Sequence, residues 1–269
     1  MHTGGGISGG GISGGGISGG GLLDGKVVLV AGVGPGLGRA IALRAAEQGA
    51  AEVVLVARTA AFLKEVAGEI GPRARPLPVD LTGDCRELAA LAEVDVLVQN
   101  AFTMPPMRGL GRVDVGELRE SLDVNLLAAL RTIQAVTPAL IRNGGNVVVV
   151  NSAVLRHSRK PFGPYRLAKA ALLAAAQNLA SELGPKGVRV NSVAPGWIWA
   201  DTLRMWFDHL AAERGVPARQ IYDETAAGID LRRLPEPDEV ADAVVFLASG
   251  LARGITGQCL DVNCGEFHA

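Results

Sequence analysis

From Lys26 onward the chain alternates short runs of β-branched residues with longer stretches rich in alanine and leucine, and this alternation restricts its fold more than any other feature. A short apolar run bounded by turn residues suits a strand buried on both faces. A helical stretch between two such runs is the crossover that parallel strands require. Seven runs qualify as strands, at 26–31, 52–57, 74–79, 94–99, 146–151, 188–193 and 259–262, and helices fill the intervals, the longest over 117–142 and 164–184. The expected fold class is therefore α/β, a seven-stranded parallel sheet with helices on both faces. Ligands of such sheets bind beyond the C-terminal ends of the strands, so residues at those ends carry the functional expectations.

The first strand ends in Ala31-Gly-Val-Gly-Pro-Gly-Leu-Gly38 and leads directly into a helix. Gly32, Gly34, Gly36 and Gly38, with Leu37 between the last two, permit a tight turn whose backbone amides can approach a pyrophosphate. The fifth strand, Asn146-Val-Val-Val-Val-Asn-Ser152, delivers the Ser152 hydroxyl to the same sheet edge. Tyr165 follows thirteen residues later and Lys169 four beyond it. A tyrosine and a lysine at i and i+4 share a helix face. The ammonium then favours the phenolate and draws a pKa of about 10 toward working pH, so Tyr165 is expected to give and take a proton opposite Ser152.

Together the glycine turn, Ser152, Tyr165 and Lys169 resemble the motifs of the classical, compact short-chain dehydrogenase/reductases, and the resemblance runs from about Leu22 to the C-terminus. It implies a Rossmann-type doubly wound sheet and hydride transfer between a nicotinamide dinucleotide and a carbonyl or alcohol. The glycine spacing is closer to this family than to the Gly-x-x-Gly-x-x-Gly of sugar-nucleotide epimerases, although Ala31 stands where threonine is usual. By resemblance, Ser152 hydrogen-bonds the substrate oxygen, Tyr165 moves the proton, and Lys169 holds the ribose hydroxyls and stabilises the phenolate. Asn125, in Asp123-Val-Asn-Leu126, resembles the helix asparagine that holds a water linked to the lysine; a surface or capping amide is the other reading.

Further cofactor contacts follow from the same resemblance. Asp80 and Leu81 match the acidic position at the adenine and its neighbour, and Asn100 and Ala101 match the turn near the cofactor ribose, where Phe102 replaces the usual glycine. Pro195 and Gly196 match the turn that passes the nicotinamide, with the backbone of Ile198 placed to bond its carboxamide. Ala200 stands where a threonine is common, and Thr202 comes two residues later. The connection between Asp80 and Asn100 is short, and a truncated helix is expected there. At the end of the second strand an acidic residue would bond the ribose hydroxyls of NAD; this chain has Ala57 and then Arg58. A guanidinium can grip a 2'-phosphate through charge-assisted bonds worth roughly 1.5–3 kcal/mol, so NADP(H) is the expected cofactor. NAD(H) is the alternative, with Arg58 solvated or stacked on adenine; Pro35 occupies a position often basic in relatives that prefer NADP.

With 269 residues and 48% hydrophobic content, residues 22–269 suit one catalytic domain, with a substrate lid at about 197–230. A formal net charge of -1 and a pI near 6.4 give no nucleic-acid footprint. Cys85, Cys259 and Cys264 are odd in number and lack metal-ligand spacing, so no metal and no disulfide framework are expected, which fits a reducing cytoplasm. Residues 1–21, built on Gly-Gly-Gly-Ile-Ser repeats, are expected to form a disordered tail without the features of a signal peptide. The later apolar runs read as too short and broken to span a membrane.

Substrate recognition is expected after Gly196. All three tryptophans, Trp197, Trp199 and Trp206, lie there, and Leu203, Trp206, Phe207 and Leu210 form an apolar stripe at helical spacing. The stripe reads equally as a lid over the site or as core packing. Facing the cavity, it would favour a bulky apolar or cyclic carbonyl. The basic loop Arg156-His157-Ser-Arg-Lys160 competes, as an anion receiver at the entrance or as a solvated loop. An NAD-dependent alcohol dehydrogenase or a 3-oxoacyl thioester reductase of the same family is an alternative. A non-catalytic dinucleotide sensor would show a broken catalytic set, and here the set is complete. Family resemblance also implies a homotetramer built on the two long helices and the C-terminal strand.

Overall fold

The computed structural model describes residues 20–268. The strands are β1 (Val27–Ala31), β2 (Glu52–Ala57), β3 (Ala74–Pro78), β4 (Val96–Gln99), β5 (Asn146–Val150), β6 (Arg189–Pro195) and β7 (Cys259–Val262). All pairings are parallel, in the order β3-β2-β1-β4-β5-β6-β7. Every residue of β1, β4 and β5 is buried, as strands covered on both faces must be. Pro76 and Pro78 lie in β3, where an edge strand tolerates missing N–H donors.

Helices α1 (Leu37–Glu47), α2 (Ala60–Ile70) and α9 (Pro237–Ala248) cover one face around Val30, Val98 and Val148. The other face packs Leu29, Leu97 and Val147 beneath α5 (Ala128–Asn143) and α6 (Gly163–Leu183). As expected, the connection before β4 holds only a truncated helix, α3 (Arg86–Ala89). A small third core lies under α7 (Asp201–Arg214) and α8 (Ala218–Ala226) and is built on Phe207, Ile221, Ile229 and Leu234.

The helix expected over 117–142 begins as α4 (Val115–Leu122), capped by Asp114, whose carboxylate accepts from Gly116 N and Glu117 N. It widens into a π turn at Asp123–Leu127 and continues as α5. Contrary to the reading of short, broken apolar runs, this helix is long and apolar enough to cross a membrane by length and composition. Its Ala129, Ile133, Val136 and Leu140 nevertheless pack in the core against the sheet. The tail expected over 1–21 lies outside the described residues except for Gly20 and Gly21.

Candidate active site

β1 and β4 are neighbours whose crossovers leave in opposite directions, so a crevice opens where their C-terminal ends diverge. The glycine turn fills it. Gly32 has φ +94°, and a Cβ there would sit 2.4 Å from the Ala101 backbone, so only glycine lets the turn press against β4. The Asn100 side chain locks the contact by donating from Nδ2 to Gly32 O at 2.7 Å. Gly38 is equally confined, with a Cβ falling 2.4 Å from Gly32 O. Gly34 differs: nothing lies within 4 Å of where its Cβ would be. α1 starts at Leu37 without a side-chain cap, which leaves its first N–H groups facing the crevice.

Ser152, Tyr165 and Lys169 meet across this crevice from β5 and α6. Ser152 stands two residues past the end of β5 and caps the next turn, accepting from Val154 N at 3.2 Å. Pro164 in the first turn of α6 fixes the helix start and orients Tyr165. Tyr165 and Lys169 are both buried, and Lys169 donates from Nζ to Val150 O at 2.9 Å. The Nζ also lies 5.8 Å from the ring centroids of Tyr165 and Phe102.

Burial reverses the electrostatic expectation. The phenol of Tyr165 is pushed up to about 12 by desolvation, against a smaller lowering by the Ser152 hydroxyl. Desolvation pushes Lys169 down to about 7. In the protein alone, Tyr165 is therefore a proton donor near neutrality, and the lysine cation is too weakly held to make it a phenolate.

Asn125 is fully buried in the π turn, and its side chain is consumed elsewhere. Nδ2 donates to Thr103 O and Ser121 O, both at 2.9 Å, and Oδ1 accepts from Thr103 N at 3.1 Å. Through these bonds the side chain pins the segment that carries Phe102 and Met104. Its amide needs Thr103 as partner across 22 residues, which local sequence does not reveal.

A cavity of about 480 Å³ joins these residues. Gly34, Gly36, Leu37, Gly38, Asn100, Pro195, Gly196 and Ile198 line its cofactor side, with Ser152, Tyr165 and Lys169 between them and an aromatic side. That side holds Phe102, Phe162, Trp197, Trp206, Phe267 and His157. Two of these were expected tryptophans. The third, Trp199, is a correction: it turns away into the small core, 4.7 Å from Tyr222 and 5.5 Å from Phe207 between ring centroids. The apolar stripe divides, with Leu203 and Trp206 lining the cavity and Phe207 on the buried face of α7. Thr202 lines the cavity as well.

The basic loop is partly packed and partly solvated: Arg156 pairs with Asp261 at 3.1 Å and Arg159 lies over the Phe267 ring, while Ser158, Arg159 and Lys160 are exposed. His157 sits 5.3 Å from Phe162 and 5.2 Å from Phe267 between ring centroids. Its Nδ1 accepts from Arg159 N at 3.2 Å, and burial together with Arg159 and Arg166 lowers its pKa, so the imidazole is neutral. Glu266 and Phe267 were not foreseen as lining residues, because only the fold returns the C-terminal segment to the site.

Arg58, Asp80, Leu81, Ala101 and Gly32 stand outside the cavity wall. Arg58 and Asp80 are exposed at the ends of β2 and β3, close enough that Arg58 helps lower the Asp80 carboxyl below its usual range; the larger causes are bonds from Thr82. Leu81 is buried beside them, and Ala101 backs Gly32.

A family model described as enoyl-(acyl carrier protein) reductase matches residues 32–266. Dehydrogenase/reductase SDR family member 4 of Bos taurus is 36% identical over 262 residues, spanning 91% of this chain and 88% of that protein. The chain is a classical short-chain dehydrogenase/reductase. Two solved members superpose on this dehydrogenase/reductase. One is 7 alpha-hydroxysteroid dehydrogenase complexed with NADH and 7-oxo glycochenodeoxycholic acid, with TM-score 0.79, 30% identity, and coverage of 90% of this chain and 94% of that one. The other is L-sorbose reductase from Gluconobacter frateurii complexed with NADPH and L-sorbose, with TM-score 0.84, 27% identity, and coverage of 92% and 98%.

The residues of this short-chain dehydrogenase/reductase fit a nicotinamide dinucleotide. The uncapped α1 start, the open space at Gly34 and the confined Gly32 form a cradle for a pyrophosphate. Pro195, Gly196 and Ile198 place backbone groups opposite the catalytic side chains. As a member of the family it is an oxidoreductase of alcohol and carbonyl groups.

Proposed function

We propose that this enzyme interconverts a bulky apolar or cyclic ketone and its secondary alcohol, with NADP(H) as the preferred dinucleotide. The observation that carries the substrate class is the concentration of aromatic rings on one side of the catalytic set. Aromatic residues are only 4% of the chain, yet Phe102, Phe162, Trp197, Trp206 and Phe267 all face this cavity. Phe102 and Trp206 remain 54% and 43% exposed, apolar surface that a ring-shaped ligand would cover. Support for NADP(H) comes from Arg58, exposed at the end of β2 without an acidic residue in the preceding Ala57 position.

A bound nicotinamide would supply or accept the hydride. Lys169, Asn100 and the glycine turn would hold the dinucleotide, and Ser152 would donate a hydrogen bond to the substrate oxygen. Tyr165, protonated near neutrality, gives that oxygen its proton in the reducing direction. Oxidation needs the phenolate and is expected to quicken as pH rises.

The relatives differ in substrate, an oxo-bile acid in one complex and L-sorbose in another. The aromatic wall favours the former's ring system over a small polyol. A panel of steroid, terpenoid and other cyclic ketones, β-ketoacyl thioesters and L-sorbose, assayed with NADPH and NADH side by side, tests the reading. Preferential turnover of cyclic ketones with NADPH is expected; preference for sorbose or a thioester would overturn it.

The assembly we propose is a homotetramer. Exposed Val115, Leu127 and Leu167 on α4 to α6, and Leu260 on the edge strand β7, support it by offering apolar surface where the long helices and the sheet end. The proposed site of action is the cytoplasm.

A further inference from the structure

The C-terminal segment folds into a turn that carries a carboxylate to the substrate site. Cys264 and Gly265 both have positive φ, 55° and 84°, which reverses the chain sharply after β7. Asn263 braces the reversal, donating from Nδ2 to Phe267 O at 2.9 Å and accepting at Oδ1 from Gly265 N at 2.9 Å. Outside contacts anchor it: Leu231 N donates to Cys264 O at 3.0 Å, and His268 meets Asp230 at 3.0 Å. The turn sits against Gly196, where a Cβ would fall 2.9 Å from Glu266 Oε2 and 3.0 Å from Asn263 Cβ, so the absence of a side chain at 196 leaves room for the turn.

Glu266 is the one carboxylate lining the cavity among the described residues, and its side chain is only 9% exposed. A carboxylate has about four acceptor positions. The Trp197 backbone and indole N–H groups lie close enough to favour its charged form, as Arg159 does. Arg159 stands 3.8 Å away, too far for a hydrogen bond, so it offsets charge without filling an acceptor position. Burial nevertheless raises the carboxyl above its usual range, the larger cause outweighing Arg159 and Trp197. Its acceptor positions open onto the cavity, where a hydroxyl or N–H of a bound molecule can reach them.

We propose that Glu266 is a specificity-determining residue, accepting a hydrogen bond from a hydroxyl or amide N–H on an uncharged ring-shaped substrate and repelling one that bears a carboxylate or phosphate. This deepens, and rests on, the reading of the cavity as a site for cyclic ketones. It also separates this enzyme from the relative complexed with an oxo-bile acid, whose ligand is itself an acid.

The test uses a phenyl-substituted cyclohexanone and its para-hydroxy and para-carboxy analogues. Each is titrated against the NADPH-loaded enzyme by tryptophan fluorescence and assayed for turnover, in the wild type and in Glu266→Gln. The wild type is expected to bind the hydroxy analogue best and the carboxy analogue worst. In Glu266→Gln the carboxy analogue should gain about tenfold in affinity relative to the parent ketone, as relief of like-charge repulsion predicts. Unchanged ratios among the three ligands would overturn the proposal and leave Glu266 as a brace for Trp197. Should Glu266→Gln fail to fold, Arg159→Ala substitutes: losing the offsetting cation should widen the discrimination against the carboxy analogue, and no widening overturns the idea. Because binding is read without chemistry, shifted ratios with no turnover of any ketone would sink the ketone reading and keep Glu266. Turnover with unshifted ratios would do the reverse.

Discussion

Replacing Lys169 with methionine is expected to make the unliganded protein more stable while abolishing its activity. The amine is 2% exposed, and desolvation takes its pKa from 10.5 to about 7. At pH 8 the unfolded chain carries the proton and the folded site does not, so folding strips it across about two and a half pK units. At about 1.36 kcal/mol per unit that costs on the order of 3 kcal/mol. The bond to Val150 O, at 2.9 Å, returns roughly 1 kcal/mol, and methionine fills similar space with no donor to satisfy. Lys169→Met should therefore gain on the order of 2 kcal/mol at pH 8. The sign of the pH dependence follows from the depressed value. Below pH 7 both states are protonated and the wild type bears the whole penalty. As pH rises from 7 toward 10.5 the unfolded chain also loses its proton, wild-type stability recovers, and the gain shrinks. Urea unfolding of both proteins without dinucleotide, followed by tryptophan fluorescence at pH 7, 8 and 9.5, measures this. A variant less stable than wild type at pH 8, or a difference that fails to shrink by pH 9.5, refutes the reasoning.

Three other expectations bear on the site and its assembly. Arg58→Ala should weaken NADPH binding by roughly tenfold or more and NADH binding little, as loss of a charge-assisted contact worth about 1.5–3 kcal/mol requires; equal effects in parallel titrations would remove Arg58 from the phosphate. Asn125→Ala should cost roughly 2–3 kcal/mol of stability by breaking buried bonds, and should raise KM more than it lowers kcat, because the Phe102–Met104 segment loosens. A large kcat loss at unchanged stability would instead place Asn125 in proton transfer. Light scattering should give the mass of four chains, and a monomer would contradict the assembly.

The sheet was legible because its central strands are short apolar runs at a crossover spacing, and the glycine turn because Gly32 and Gly38 are forced by close backbone contact. What escaped the sequence is tertiary. Nothing in Asp123-Val-Asn-Leu-Leu127 announces a π turn, since its Asn125 is held by Thr103 from another segment. Trp197, Trp199 and Trp206 look alike in sequence, yet only the packing of Tyr222 and Phe207 decides that Trp199 faces inward. The charge relation of Tyr165 and Lys169 was read from their spacing, but burial, which spacing does not reveal, reverses its direction. Glu266 lies a hundred residues from Tyr165, with no local pattern to mark it.

Removing the Tyr165 hydroxyl tests the central claim most directly. In Tyr165→Phe the cradle for the dinucleotide is untouched, and the group that gives the substrate oxygen its proton is gone. Ketone reduction by the wild type and the variant, alongside NADPH titration of each, should show turnover lower by roughly 100-fold or more with near-equal NADPH affinity. Near-wild-type turnover in Tyr165→Phe would contradict the account.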